Sequence, residues 1–196
     1  AFFGTARPGR NFATVVTWTL WWPLLPLSIL LLGRAWCAVC PVAAAIGGVH
    51  RLAGAQWAPP RWLVRNSVWI MGASFVLLTW ADRTWSFTGS PRATGILLAS
   101  IFAAAVLMAL LYRRKAFCRY LCPIGAFIGL YAMNAAVELR ARPSACQGCT
   151  AKACYKGSGQ VVDGCPLYQF PRSMDSNRNC NLCGQCVKTC PHGAIE

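Results

Sequence analysis

The sequence predicts an α-helical membrane bundle followed by a small, cysteine-rich α+β domain. Three observations point there: three long stretches without a charge, a change of composition from Arg140 onward, and twelve cysteines that fall into short, regular spacings. With 56% hydrophobic and only 12% charged residues, and with nine Trp, the 196-residue chain is too apolar for an ordinary soluble domain. A net charge of +14 would suit nucleic acid, but the Lys and Arg residues sit beside apolar segments and no nucleic-acid motif or dense basic run occurs, so nucleic acid is not an expected partner. Membrane lipid is.

Residues 1–139 read as the membrane domain. The first span is predicted over about 11–33, because Asn11 to Gly33 is uncharged and a helix rising ~1.5 Å per residue covers the ~30 Å hydrocarbon core over that length; Pro23 and Pro26 should kink it. The second, about 62–81, joins the uncharged stretch Asn66 to Ala81 to Trp62 and Leu63, with Arg65 able to snorkel to the interface. The third, about 93–112, is mostly Ala, Leu, Ile and Val and is closed by Arg113, Arg114 and Lys115.

Basic residues set the orientation. Arg34, Arg51, Arg61, Arg65, Arg113, Arg114, Lys115, Arg119, Arg140 and Arg142 fall on one side of these spans and Arg7, Arg10, Arg83 and Arg92 on the other, which makes the first side cytoplasmic. Three crossings put residue 1 outside the cell. With neither an initiator Met nor a signal peptide, the chain reads as a piece of a longer protein with at least one more upstream helix, and its end at "CPHGAIE" reads the same way.

Two stretches on the cytoplasmic side repeat one pattern, "RAWCAVCPVAAAIGG" at 34–48 and "KAFCRYLCPIGAFIG" at 115–129. Each places a cysteine pair at the end of a span, then proline, then an apolar segment too short to cross. Re-entrant or interfacial helices are therefore expected at about 41–50 and 123–138. The repetition predicts that Cys37, Cys40, Cys118 and Cys122 converge as halves of one pseudo-twofold site at the cytoplasmic membrane edge, where the helix N-termini after Pro41 and Pro123 would favour thiolates. Four thiolates can hold a further iron-sulfur cluster or a soft metal ion. Inert buried thiols are the alternative.

Residues 140–196 read as a small soluble domain. "CNLCGQCVKTCP" at 180–191 is CxxCxxCxxxCP, a spacing in which three thiolates hold one 4Fe-4S cluster and the fourth serves a second. Cys146, Cys149, Cys154 and Cys165 form a stretched version that also ends in Cys-Pro. Crossed ligation assigns Cys146, Cys149, Cys154 and Cys190 to one cluster, and Cys180, Cys183, Cys186 and Cys165 to the other. The expected fold class is thus an α-helical integral membrane bundle with a C-terminal α+β two-cluster bacterial-type ferredoxin domain. Structural zinc also uses four cysteines but has no need of a proline after each set, and a disulfide framework fits these spacings poorly. His50 and His192 read as bystanders, and Trp18, Trp36, Trp62, Trp80 and Trp85 as interfacial belts.

"FCRYLCPIGAFIGL" and "GRAWCAVCP", followed by the ferredoxin-like segment, resemble the NapH/NosR-type membrane polyferredoxin family over nearly the whole chain. The resemblance implies a multi-pass protein of the inner (cytoplasmic) membrane with its ferredoxin domain on the cytoplasmic side, in anaerobic respiration. It also implies electron transfer between the quinone pool or a cytoplasmic donor and a respiratory redox partner, as a subunit or domain of a larger complex. Two features depart from the family pattern: Cys37 and Cys40 are separated by two residues where three are common, and the first ferredoxin half is stretched. No nucleophile, acid–base pair or phosphate loop is visible, so the chain reads as a quinol-dehydrogenase-like electron-transfer component without a substrate site of its own. Trp80, Asp82 and Arg83 are the candidate edge of a quinol site. The alternative is a redox-sensing regulator, or an assembly protein handling copper at Cys37, Cys40, Cys118 and Cys122.

Overall fold

The computed structural model describes residues 7–53, 57–157 and 164–196. The extreme N-terminus and parts of the 52–60 connection and of the stretch before Cys165 lie outside these residues. Among the described residues three helices are long and apolar enough to cross a membrane: α1 (Phe12–Leu32), α4 (Arg61–Trp85) and α5 (Pro91–Leu111). Their outer faces carry exposed Leu27, Leu31, Trp69, Val76, Leu77, Ile96 and Leu107, a distribution suited to lipid and not to water.

In α1 the expected proline kink takes the form of a π-helical run over Val15–Trp21, where the Trp22 N–H reaches back to the Thr17 carbonyl. The ring at Pro23 has no N–H to continue the α ladder, and widening the turn before it keeps the carbonyls bonded. Ser28 Oγ donates to the Leu24 and Leu25 carbonyls at 2.8 and 2.9 Å, so its polar group is satisfied within the span. The helix stops at Gly33, whose φ of 58° and ψ of −138° suit only glycine, and the chain turns sharply under the end of the span.

Short helices gather at one end of the long ones: α2 (Trp36–Val39), α3 (Pro41–Ala53), α6 (Ala116–Tyr120) and α7 (Pro123–Ala132). The last is shorter than expected. Beyond Ala132 the chain forms turns, and the Ala136 N–H donates to the Leu30 carbonyl at 2.8 Å, so the segment to residue 138 closes against α1 instead of extending the helix. Helix α4 likewise runs to Trp85, past residue 81, because the following turn is capped by Asp82, whose Oδ1 accepts from the Thr88 N–H at 3.0 Å.

The short helices wedge between the long ones. Ile128 and Ala132 of α7 bury against Leu25 and Ile29, and Phe127 stacks between Trp22 and Phe75 with ring centroids 5.7 and 5.6 Å apart. Ile46 of α3 packs with Ala105, Ala109 and Phe117, while Ala116 and Tyr120 of α6 pack on Leu63. Small residues let backbones approach closely, so contact in lipid comes from packing and not from water release.

The tail contains α8 (Pro143–Gln147), α9 (Ala153–Lys156) and α10 (Gln185–Thr189), joined by turns at Pro171–Ser173 and Asn177–Asn179. The expected α+β character is not found: among the described residues there is no strand, only isolated bridges between Trp57 and Tyr112 and between Ala141 and Ile195. Cysteine-rich loops this short pair for one bridge and then turn away. That bridge still ties the ends of the tail together, through Arg140 N to Glu196 O at 2.7 Å and its return at 2.9 Å.

The tail docks directly beneath the short helices. Buried Asn177 donates to the Val137 carbonyl at 2.7 Å and accepts from the Leu139 N–H at 3.2 Å. On the other side the Lys115 N–H reaches the Pro166 carbonyl at 3.2 Å, and Tyr168 donates to the Arg113 carbonyl. Arg114 lies over the rings of Tyr155 and Tyr168, 5.5 and 5.2 Å from their centroids.

Candidate iron-sulfur sites

All twelve cysteines are unpaired. Eight of them line two cavities in the tail. One cavity is bounded by Cys165, Cys180, Cys183 and Cys186 together with Leu139, Pro171 and Met174. The other is bounded by Cys146, Cys149, Cys154 and Cys190 together with Phe170, His192 and Ile195. Each cavity takes three cysteines from one half of the tail and the fourth from the other. The fold achieves this because the Cys-Pro that closes each half faces the cavity of the opposite half. A thiol-lined, otherwise apolar hollow suits an iron-sulfur cluster, since its four soft donors match iron and sulfide and its walls keep water away.

Burial pushes up the thiols of Cys154, Cys165, Cys180 and Cys186. Cys186 is raised to about 12 by burial, with Cys180, Cys165 and Cys183 adding to it; Cys154 is raised by burial and then by Cys190, Cys149 and Cys146. Without a positive partner these sites would hold protons, and loading with iron must displace them.

The prolines have a specific local effect. Three of the four Cys-Pro cysteines accept a backbone N–H from three or four residues downstream: Cys122 Sγ from Gly125 N at 3.3 Å, Cys165 Sγ from Gln169 N at 3.3 Å, and Cys190 Sγ from Ala194 N at 3.4 Å. Proline fixes φ and has no N–H, so the chain turns immediately after the cysteine and the next free amides point back at the sulfur. Such N–H donors stabilise a thiolate and set the potential of any cluster it holds.

The third cysteine group lies at the junction of membrane helices and tail. Cys37 sits in α2, Cys40 ends it, Cys118 sits in α6, and Cys122 caps α7. Cys37 packs against the Leu25–Ile128 cluster, and Cys118 and Cys122 pack against the Ile46–Phe117 cluster. Burial raises Cys118 to about 12, with Cys122, Cys37 and Cys40 all contributing, and raises Cys122 to about 11, again with contributions from Cys37 and Cys40. Among the described residues no three Cys, His, Asp or Glu side chains converge tightly enough to grip a single metal ion.

Other residues singled out in the sequence have structural roles. His50 Nε2 bonds the Arg114 carbonyl, and Trp36 Nε1 donates to Ser28 Oγ. His192 lines the second tail cavity. Sequence reasoning missed Arg34 as a site residue: it is 3% exposed and its Nη1 donates to the Arg178 carbonyl at 2.6 Å. It also missed Asn177, the clasp between tail and membrane helices. Nothing in their sequence neighbourhoods distinguishes these two from surface residues.

Two family models, each described as a 4Fe-4S binding domain, match the chain: one over residues 14–65 and 94–139, the other over residues 176–196. The first contains Cys37, Cys40, Cys118 and Cys122. Among curated proteins, the chain is 30% identical over 187 residues to one from Escherichia coli named "Putative electron transport protein YccM", covering 83% of this chain and 50% of that protein. It is 24% identical over 111 residues to an uncharacterized protein of Methanocaldococcus jannaschii, covering 57% of this chain and 42% of that one. The chain therefore spans about half the length of the curated relatives it matches. No solved structure matches.

Proposed function

Because the chain belongs to the 4Fe-4S binding domain family, we propose that it is a membrane electron-transfer protein that carries single electrons between clusters in its tail and a site at the membrane edge. The observation that carries this reading is the crossed lining of the two tail cavities, three cysteines from one half and one from the other. On this reading Cys180, Cys183, Cys186 and Cys165 hold one 4Fe-4S cluster and Cys146, Cys149, Cys154 and Cys190 the second. Cys37, Cys40, Cys118 and Cys122 hold a third, supported by the first family match, which falls on the membrane helices and these four cysteines.

The clusters supply reversible one-electron chemistry when bound. The chain supplies thiolates, N–H groups aimed at three of them, and walls that exclude water. The name of the Escherichia coli relative points the same way. We further propose the NapH/NosR-like role, in which electrons pass between a quinone or another redox protein and a partner in a larger respiratory complex of the inner membrane.

Iron and acid-labile sulfide in the full chain, purified anaerobically in detergent, test the reading. About twelve irons and about twelve sulfides per chain are expected for three cubane clusters, and about eight would restrict them to the tail. Stoichiometric zinc without sulfide would reject it.

The cytoplasmic placement of the tail rests on the ten-to-four division of basic residues between the two sides. Reporter fusions after Arg142 and within residues 52–60 should both read cytoplasmic, and one near Gly89 should read the opposite side. A periplasmic signal after Arg142 would reverse the orientation.

A further inference from the structure

Arg34 lies between two of the cysteine groups, and among the described residues it forms no ion pair. Turned inward by Gly33, it is 3% exposed, and its Nε is buried without a hydrogen-bond partner. Its Nη1 spends a bond on the Arg178 carbonyl, two residues before Cys180, at 2.6 Å. Its Nη2 and the Cys122 Cβ flank a single methyl-sized gap, since a Cβ on Gly125 would meet them at 3.2 and 3.3 Å. A Cβ on Gly129 would likewise stand 3.1 Å from the Arg178 carbonyl and 3.8 Å from Arg34 Nη1. Helix α7 is thus cut away on the side where the guanidinium enters.

The surroundings make the charge costlier still. Arg119, beside Cys118, is a second arginine whose Nε is buried without a hydrogen-bond partner among the described residues, its guanidinium lying 5.6 Å from the centre of the Tyr120 ring. The two ion pairs among the described residues are Glu138 with Arg140 and Glu196 with Arg142, and neither reaches this cluster. A buried, crowded cation persists where something anionic answers it. The groups it adjoins lead to thiols: the Cys122 Cβ lies across the Gly125 gap from its Nη2, and the Arg178 carbonyl that it bonds stands two residues before Cys180.

We propose that Arg34 is the shared counter-charge of the membrane-edge cysteines and the Cys180 group, stabilising the reduced form of the cluster held at each and matching their potentials for electron exchange. The proposal rests on the reading that both groups hold clusters. A cluster with four thiolates is net anionic, and its negative charge grows by one when it is reduced, so a fixed cation nearby favours the reduced form. With both clusters bound, an exchange would transfer one electron, oxidising the cluster on one side of Arg34 and reducing the other, with no bond or proton moved. Arg34 acts through the clusters and is a positioning residue.

The test is an EPR-monitored redox titration of the full chain with Arg34→Gln and Arg34→Lys, after iron and sulfide have been counted in each. Signals are assigned with the Cys118→Ser plus Cys122→Ser variant, and the cluster of the Cys146 group serves as internal reference. Arg34→Gln should make reduction at the two flanking clusters about tenfold less favourable, a shift of about 59 mV to more negative potential for a one-electron couple, with the reference unmoved. Arg34→Lys should keep potentials near those of the unaltered chain. Fully loaded Arg34→Gln with unmoved potentials overturns the proposal, and so does Arg34→Lys if it shifts as far as the Gln variant. Should Arg34→Gln fail to load, Arg34→Lys decides: loaded with unaltered potentials it supports the counter-charge, and unloaded it assigns Arg34 to packing alone. About eight irons in the unaltered chain would instead count against the membrane-edge cluster, while the Cys180 cluster still tests Arg34.

Discussion

Changing Cys118 and Cys122 together to Ser is expected to remove about four of about twelve irons and to abolish electron transfer from a membrane-side donor, while the tail keeps its two clusters. Both sulfurs sit at the junction of α6 and α7, and the Cys122 thiol is the group to which the Gly125 N–H donates. Ser is slightly smaller and can still cap α7, so the helices should assemble. It cannot supply a soft thiolate of matching strength. The measurement is iron, sulfide and the EPR signal of the dithionite-reduced protein, followed by the rate of quinol-dependent reduction of the tail. Full activity in the double variant would return Cys37, Cys40, Cys118 and Cys122 to the role of packed small hydrophobes.

Gly164→Ala should be as damaging, although no cysteine is touched. Gly164 adopts a φ of 66°, and a Cβ there would stand 2.3 Å from the Tyr155 carbonyl oxygen and 2.6 Å from the Gly157 N. A left-handed alanine already costs about 1–2 kcal/mol, and a backbone clash this close forces the neighbouring segments apart. Those segments present Cys154 to one cavity and Cys165 to the other. One added methyl should therefore lower occupancy at both tail sites, read as a loss of sulfide well beyond that of a single-cluster ligand variant. Gly72→Ala in α4, where nothing lies within 4 Å of the added Cβ, is the matched control and should load normally. Retention of all iron in Gly164→Ala would mean that the loop relaxes freely.

The long helices were legible because lipid imposes one rule on composition and length, and Phe12–Leu32, Arg61–Trp85 and Pro91–Leu111 obey it locally. The cysteine sets were legible for a similar reason: a cluster demands ligands at fixed short spacings, so "CNLCGQCVKTCP" declares its chemistry without any tertiary contact. Where the reading went astray, a distant contact decided. The helix after Pro123 ends at Ala132 because the Leu30 carbonyl captures the Ala136 N–H, and apolar residues 133–137 carry no local sign of that. The tail's β character shrinks to one bridge because its loops are held by Asn177, Arg114 and Tyr168 against the membrane helices and not by a ladder of their own.

By itself the sequence determined which segments suit lipid and which cysteines belong together, since both follow from residue type and spacing along the chain. Only the tertiary structure decided what stands between the cysteine groups. Arg34 counts in the sequence as one more positive charge at the end of a span; folded, it is a buried guanidinium with the Cys122 helix cap on one side and the loop before Cys180 on the other. The physical reason is that a charge acquires its role from the groups brought within a few ångströms of it, and here those groups, at Cys122 and Arg178, lie 88 and 144 positions away along the chain.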